Sequence, residues 1–388
     1  MSINTFNLFS REPRQNPYPY YTELRDHAPV HRFEQNGFWA VSRYADVAFV
    51  LKRPDLFSSS IMAPFDAALL GADPPCHTRV RKIVAKIFTP QRLASIESHI
   101  RVITDRLIDR AVAHGRCELI ADLAAPLPLS VITDMLGAGP DRSDDFHRWS
   151  HAVLVSATGS PGPEETRQIR ESLKEFTIFL EEHIERCRRQ PGQGILSDLL
   201  LGGAEEERLT VGEAAGFARL LLLAGNETTT NLIGNAVLAL LGHAHEMDIV
   251  RANPRFVPAV VEEALRYDTP VQFVQRIARQ TVEFRDVQVP AGDRIIAMLG
   301  SANRDQQRFP DPDRFSVTRK PRNHLAFGAG PHFCLGASLA RLEARIILEA
   351  LFSRRLVLRE AQSLDKVEHI DSTQLRGPRR LELVVELG

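Results

Sequence analysis

Apolar residues recur at helical spacing through most of this chain and alternate only in short pieces. The spacing predicts helices over residues 77–88, 91–115, 126–136, 164–189 and 339–352, with a short one over 46–51. A far longer helix starts at Thr210. Thr210 and Glu213 stand at capping-box spacing, which satisfies orphan N–H groups at a helix start, and the apolar pattern runs on to Gly242. At ~1.5 Å per residue that is a rod of roughly 50 Å. Strand-like runs at 30–33 and 38–41 flank Asn36-Gly37 and predict a hairpin. Further strands are predicted at 282–284, 287–289 and 294–298, with a terminal strand at 380–386. Residues 192–203 are expected to be loop with one apolar turn, and 310–321 a connector rich in proline and aspartate. The mixture is mainly α with small β-sheets, an α+β chain.

Length changes this picture little. A chain of 388 residues has room for two or three domains. No repeat, linker or composition break divides it, so the expectation is one domain over 1–388, with a small β-rich part near the N-terminus and a large helical part. The opening residues, Met1-Ser2-Ile3-Asn4-Thr5-Phe6-Asn7-Leu8, lack an apolar run of signal-peptide length. The most apolar internal stretch, 220–224, is far shorter than the ~20 residues of a membrane span. The formal net charge of -1 argues against a general nucleic-acid binder. The four cysteines, Cys76, Cys117, Cys187 and Cys334, form no C-x-x-C pair and read as reduced thiols. A cytoplasmic protein without a membrane anchor is expected.

Candidate chemistry concentrates at 324–336, His-Leu-Ala-Phe-Gly-Ala-Gly-Pro-His-Phe-Cys-Leu-Gly. Gly328, Gly330 and Gly336 let backbone approach a ligand closely. Cys334 lies just before a helix start, where N–H groups favour a thiolate. Phe327 and Phe333 match a flat apolar cofactor, and His332 matches an anionic edge on it. Haem, with an axial cysteinate and two propionates, meets all three demands. The competing readings are a loop with a buried structural cysteine, and a cysteine nucleophile with His332 as base but no orienting third group.

The long predicted helix carries Ala224-Gly225-Asn226-Glu227-Thr228-Thr229. A glycine inside a helix costs about 1 kcal/mol relative to alanine, and a ladder widened to admit a small ligand is one compensation. Glu227 and Thr228 place an acid and an alcohol at the same point. Glu263 and Arg266 stand at i and i+3 on one helix face. The same spacing recurs at Glu164/Arg167, Glu185/Arg188 and Glu205/Arg208, which are expected to be solvated surface pairs.

The cysteine loop, continued by Ala340-Arg341-Leu342-Glu343, resembles the ligand loop of the cytochrome P450 superfamily in its bacterial soluble form, and further elements follow in that family's order along nearly the whole chain. The resemblance implies a triangular prism with a long central helix over haem b, and Cys334 as the metal ligand. It implies that Ala224, Gly225, Phe327, Gly330, His332 and Gly336 lie against the cofactor. His77, Arg81 and Arg276 would hold propionates. Glu227 and Thr228 would bind dioxygen and relay protons. Glu263/Arg266, completed by an arginine of the connector around Arg319, would form a buried structural triad. The implied activity is hydroxylation or epoxidation of an apolar small molecule of terpenoid, steroid, fatty acid or polyketide type, as in secondary metabolism. Electrons would come from a ferredoxin and its NAD(P)H-dependent reductase, since no flavin or iron–sulfur segment is present, and the enzyme is expected to be a monomer. The alternatives are a peroxide-driven haem enzyme and a non-catalytic haem ligand-binding protein. Expected pocket walls are residues 62–70, Leu223 and Ala224, Gln272 and Phe273, and Thr373. Cys76 is expected to be small, partly buried and without a catalytic role.

Overall fold

A computed structural model describes residues 10–63, 66–158, 162–190, 194–354, 356–361 and 363–387. The expectation for the first eight residues lies outside them. The chain divides into two compact units. The first comprises Met1–Ile61, Thr104–Ala124 and Thr228–Gly388, and the second Met62–Ile103 and Ala125–Glu227.

The first unit carries a five-stranded sheet. The predicted hairpin forms it at one edge, with Val30–Phe33 antiparallel to Phe38–Val41. Gly37 takes φ +64° in the connecting turn, a conformation that glycine adopts without a Cβ penalty. Phe38–Val41 then pairs in parallel with Arg294–Ala297, which runs antiparallel to Val274–Ala278, and Phe57–Ser58 closes the far edge. Successive side chains of a strand point to opposite faces. Val41, Ile295 and Ala297 accordingly join one core cluster with Val47, Leu51 and Phe57, while Ala40, Ile296 and Met298 join a second with Tyr21, Leu24, Phe33 and Phe273. The predicted strands at 282–284 and 287–289 pair with each other, and the terminal strand, Glu382–Leu387, joins a separate three-stranded sheet.

The second unit is built from helices. Cys76–Ala85, Pro126–Met135 and Pro163–Arg189 lie where the spacing predicts them. Ser143–Thr158 is an additional helix. Its first turns are mostly polar, which hides the apolar stripe, but Phe146 and Trp149 are buried and Trp149 stacks on Phe176 at 5.1 Å. The loop expected at 192–203 is corrected for its described part: Ile195–Leu201 is helical, because Ile195, Leu196, Leu199 and Leu200 all find burial.

The long helix runs from Val211 to Leu241, passing from the second unit into the first. Its capping box forms as predicted: the Thr210 amide donates to Glu213 Oε2 (2.9 Å) and the Glu213 amide to Thr210 Oγ1 (3.2 Å). The ladder is unbroken at Gly225. A Cβ there would meet Ile132 Cδ1 at 2.8 Å, so close packing of the Pro126–Met135 helix is a further reason for the glycine.

Candidate active site

In the first unit the chain turns sharply through the cysteine loop before entering the helix Ala337–Ser353. Gly328 and Gly330 take φ of +69° and +70°. The amide of Gly328 donates to the Leu325 carbonyl (2.8 Å), and that of Cys334 donates back to the Phe327 carbonyl (2.9 Å). Gly330 packs on backbone: a Cβ there would sit 2.5 Å from the Leu51 carbonyl oxygen. The outcome is a tight loop that leaves Cys334 and Phe333 exposed, three residues before a helix N-terminus. Phe327 and Phe333 lie 6.3 Å apart.

Arg276 and His332, two predicted site residues of the same unit, make these contacts. Arg276 is the middle residue of the strand Val274–Ala278 and is buried, with Nη1 donating to the Gln275 carbonyl (2.7 Å). His332 Nε2 lies 3.0 Å from the Ser59 hydroxyl, which ties the loop to the stretch after the edge strand. Thr228, on the long helix, is half-buried.

In the second unit, His77 and Arg81 lie one turn apart on Cys76–Ala85, with His77 buried and Arg81 half-buried. Leu223, Ala224, Gly225 and Glu227 follow one another along the long helix. Ala224 is exposed, Leu223 and Gly225 half-buried. Glu227 is half-buried, and desolvation pushes its carboxyl above the ordinary value, so it holds a proton more readily than a surface glutamate.

The sequence profile of the cytochrome P450 family matches residues 146–380. Cytochrome P450 107B1 of Saccharopolyspora erythraea is 38% identical over 95% of this chain and 94% of its own length. Vitamin D(3) 25-hydroxylase of Pseudonocardia autotrophica is 37% identical over 98% and 96%. The solved structure of cytochrome P450 CYP109Q5 from Chondromyces apiculatus superposes with a TM-score of 0.92 at 38% identity, covering 100% of both chains. The chain belongs to the cytochrome P450 family. It is a monooxygenase of that family and has the P450 fold.

The family implies a haem-thiolate cofactor. The residues of the first unit fit such a group. An exposed thiol stands before a helix N-terminus, two phenyl rings lie in the same loop, glycines there take positive φ, and a buried guanidinium and an imidazole suit carboxylates.

Two expected pocket walls of this P450 are corrected. Gln272 is buried, accepts a hydrogen bond from the Tyr21 hydroxyl (2.9 Å) and fills the space where Gly300 lacks a Cβ. Phe273 is a member of the core cluster with Tyr21 and Ile296. Both side chains serve the core of the first unit. Thr373 is half-buried in the stretch between two isolated bridges, Val271 with Leu375 and His369 with Pro378. Cys76 is exposed and not partly buried.

The Glu–Arg spacings separate as follows. Arg266 and Glu263 are wholly buried, Arg319 Nε adds a bond to Glu263 Oε1 at 2.9 Å, and the Ser316 amide adds another at 3.1 Å. Arg266 also donates to the carbonyls of Asn303, Pro312 and Arg314. Arg167/Glu164 and Arg188/Glu185 are exposed pairs. Glu205/Arg208 is corrected: the Arg208 guanidinium turns to the Gly203 carbonyl at 2.9 Å.

Sequence reasoning missed Glu262. Its carboxylate sits between His324 and Arg341, both beside the cysteine loop, and their hydrogen bonds hold its pKa at about 2 against the opposing effect of burial. The only signal in the sequence was its place next to Glu263. Neither spacing nor residue type says which way a helical glutamate points.

Proposed function

We propose that this cytochrome P450 is a haem b monooxygenase, with Cys334 the thiolate that would hold the haem iron, acting on an apolar small molecule. The observation that carries the assignment is the thiol of Cys334, exposed at the mouth of a loop whose hydrogen bond from the Cys334 amide to the Phe327 carbonyl and positive-φ glycines fix it ahead of a helix N-terminus. When bound, the haem supplies oxygen activation and insertion of one oxygen atom into a C–H or C=C bond.

The protein's own groups do the rest. Arg276, His332, His77 and Arg81 are the groups that would pair with the cofactor's carboxylates. Phe327, Gly330 and Gly336, with Ala224 and Gly225 of the long helix, would lie against it. Thr228 offers a hydroxyl that accepts and passes a proton. Glu227 reloads it, and burial, which raises its pKa, makes the carboxyl hold a proton more readily than a surface glutamate does.

Support for an apolar substrate comes from the apolar character of the long helix around Leu223 and from the relative named a vitamin D(3) 25-hydroxylase, a steroid-like assignment. A ferredoxin and its NAD(P)H-dependent reductase deliver the electrons in this proposal. The enzyme works as a monomer in the cytoplasm, and its 388 residues act as one domain. Among the described residues no helix is long and apolar enough to cross a membrane.

The carbon-monoxide difference spectrum of the reduced protein tests the ligand. A thiolate-type band in the wild type, absent in Cys334→His, is the expected result. A thiolate-type band that survives in Cys334→His overturns the assignment. Soret shifts across a panel of steroids, fatty acids and macrolides then identify the substrate class.

A further inference from the structure

The helix Val257–Tyr267 presents two neighbouring glutamates to two different structures. Residues adjacent on a helix point about 100° apart. Glu263 enters the buried cluster with Arg266 and Arg319, and Glu262 leaves it towards the cysteine loop. Glu262 Oε1 lies 2.6 Å from Arg341 Nε, and Glu262 Oε2 lies 3.1 Å from Arg341 Nη2, a two-point guanidinium–carboxylate pair. The same Oε2 accepts from His324 Nε2 at 3.1 Å. The Ala326 amide approaches His324 Nδ1 at 3.3 Å, so Nδ1 is the acceptor and Nε2 carries the proton.

Both partners of Glu262 touch one ring. The Arg341 guanidinium lies 4.4 Å from the centre of Phe327, and the His324 ring centre lies 6.2 Å from it. Phe327 is in turn the residue whose carbonyl receives the Cys334 amide. The chain of contact is therefore Glu262, then His324 and Arg341, then Phe327, then Cys334. His324 is buried, while Glu262 and Arg341 are each about one-third exposed, so the carboxylate reaches the loop from its solvent side.

We propose that Glu262 is a positioning residue for the thiolate loop, holding Phe327 through His324 and Arg341 so that the backbone around Cys334 keeps its geometry. The proposal rests on Cys334 being the axial ligand. The wild-type spectrum tests that separately, because failure there removes the thiolate-type band before any variant is made. Backbone N–H groups aimed at a ligating sulfur lower its electron donation, so a loosened loop makes the thiolate a stronger donor and lowers the reduction potential.

Glu262→Ala and Glu262→Gln are compared with wild type as haem-loaded proteins. Three readouts are taken: reduction potential by spectroelectrochemistry, the rate at which the thiolate-type carbon-monoxide band decays on warming, and Tm. Glu262→Ala is expected to lower the potential and to speed band decay roughly tenfold, as loss of charge-assisted hydrogen bonds implies. Glu262→Gln, which keeps one acceptor oxygen, should fall between. Arg341→Gln, on a partly exposed residue, should shift all three readouts the same way and stands in if Glu262→Ala does not fold. The control is Asp105→Asn with Asp109→Asn, which removes the partners of Arg354 elsewhere in the same unit. It should lower Tm at most and leave the potential unchanged. An unchanged potential and decay rate in Glu262→Ala or Arg341→Gln overturns the proposal. So does a control that shifts the potential equally.

Discussion

Arg266 and Glu263 meet through two hydrogen bonds, Nη2 to Oε1 at 2.7 Å and Nε to Oε2 at 2.8 Å, with neither side chain exposed to solvent. The pair is tied into the connector by Arg319, the Ser316 amide and the carbonyls of Pro312 and Arg314, with the Asn303 carbonyl a further acceptor, so every charge is met. Removing one partner leaves the other buried and uncompensated. Glu263→Ala should therefore cost about 3–5 kcal/mol, whereas Glu164→Ala on an exposed pair should cost no more than about 1 kcal/mol. Urea unfolding midpoints compare the two.

Gly330 permits the contact that seats the cysteine loop on the Leu51–Lys52 backbone. A Cβ would fall 2.5 Å from the Leu51 carbonyl oxygen and 3.0 Å from Lys52 Cα, and the residue sits at φ +70°. Neither neighbour is a flexible side-chain tip that can move aside. Gly330→Ala should cost about 1–3 kcal/mol and reduce haem content on purification. Gly212→Ala has open space around its Cβ within the long helix and should be neutral or stabilise by up to about 1 kcal/mol. Equal midpoints for the two variants would falsify the packing account.

Glu343 is buried in the helix Ala337–Ser353, with no hydrogen-bond partner on Oε1 among the described residues. Desolvation pushes its carboxyl up to about 8 from an ordinary 4.5. Between those two values the unfolded chain has released the proton that the folded protein still holds. Stability contributed at this site therefore falls as pH rises from about 4.5 to about 8 and is constant above that. The full effect is on the order of a few kcal/mol. Glu343→Gln should flatten this slope, which denaturation midpoints near the two ends of the window will show. A slope unchanged by the substitution counts against a neutral buried acid.

Glu227 and Thr228 carry the proposed proton relay. Thr228→Ala should bind substrate with an unchanged Soret shift, yet divert electrons to peroxide and lower product per NAD(P)H at least tenfold or so. Glu227→Gln, which cannot give up a proton, should slow turnover by roughly a hundredfold. Full coupling of electrons to product in Thr228→Ala removes the hydroxyl from the mechanism.

Local patterns located much of this enzyme. The long helix was legible because its apolar spacing runs unbroken and because Thr210 and Glu213 cap it within four residues of sequence. The cysteine loop was legible because glycine, proline and cysteine punctuate one short stretch. Ser143–Thr158 was missed because its stabilisation comes from Trp149 stacking on Phe176, a partner on another helix that no window around residue 149 contains. Gln272 and Phe273 were misplaced for the same reason, since Tyr21 and Ile296, which enclose them, are remote in sequence.

By itself the sequence determined the cap of the long helix, the hairpin at Asn36-Gly37, the thiol and its glycines, and the adjacency of acid and alcohol at Glu227 and Thr228. Each depends on residues within a few positions of one another, where backbone geometry is a local matter. The resemblance had already singled out the buried Glu–Arg spacing among four, but tertiary structure alone decided that Arg208 turns to the Gly203 carbonyl, that Gly225 packs closely against Ile132, and that Glu262 turns towards Phe327 while its neighbour turns away. Burial, and the pairing that burial demands of a charge, depend on what the rest of the fold brings alongside.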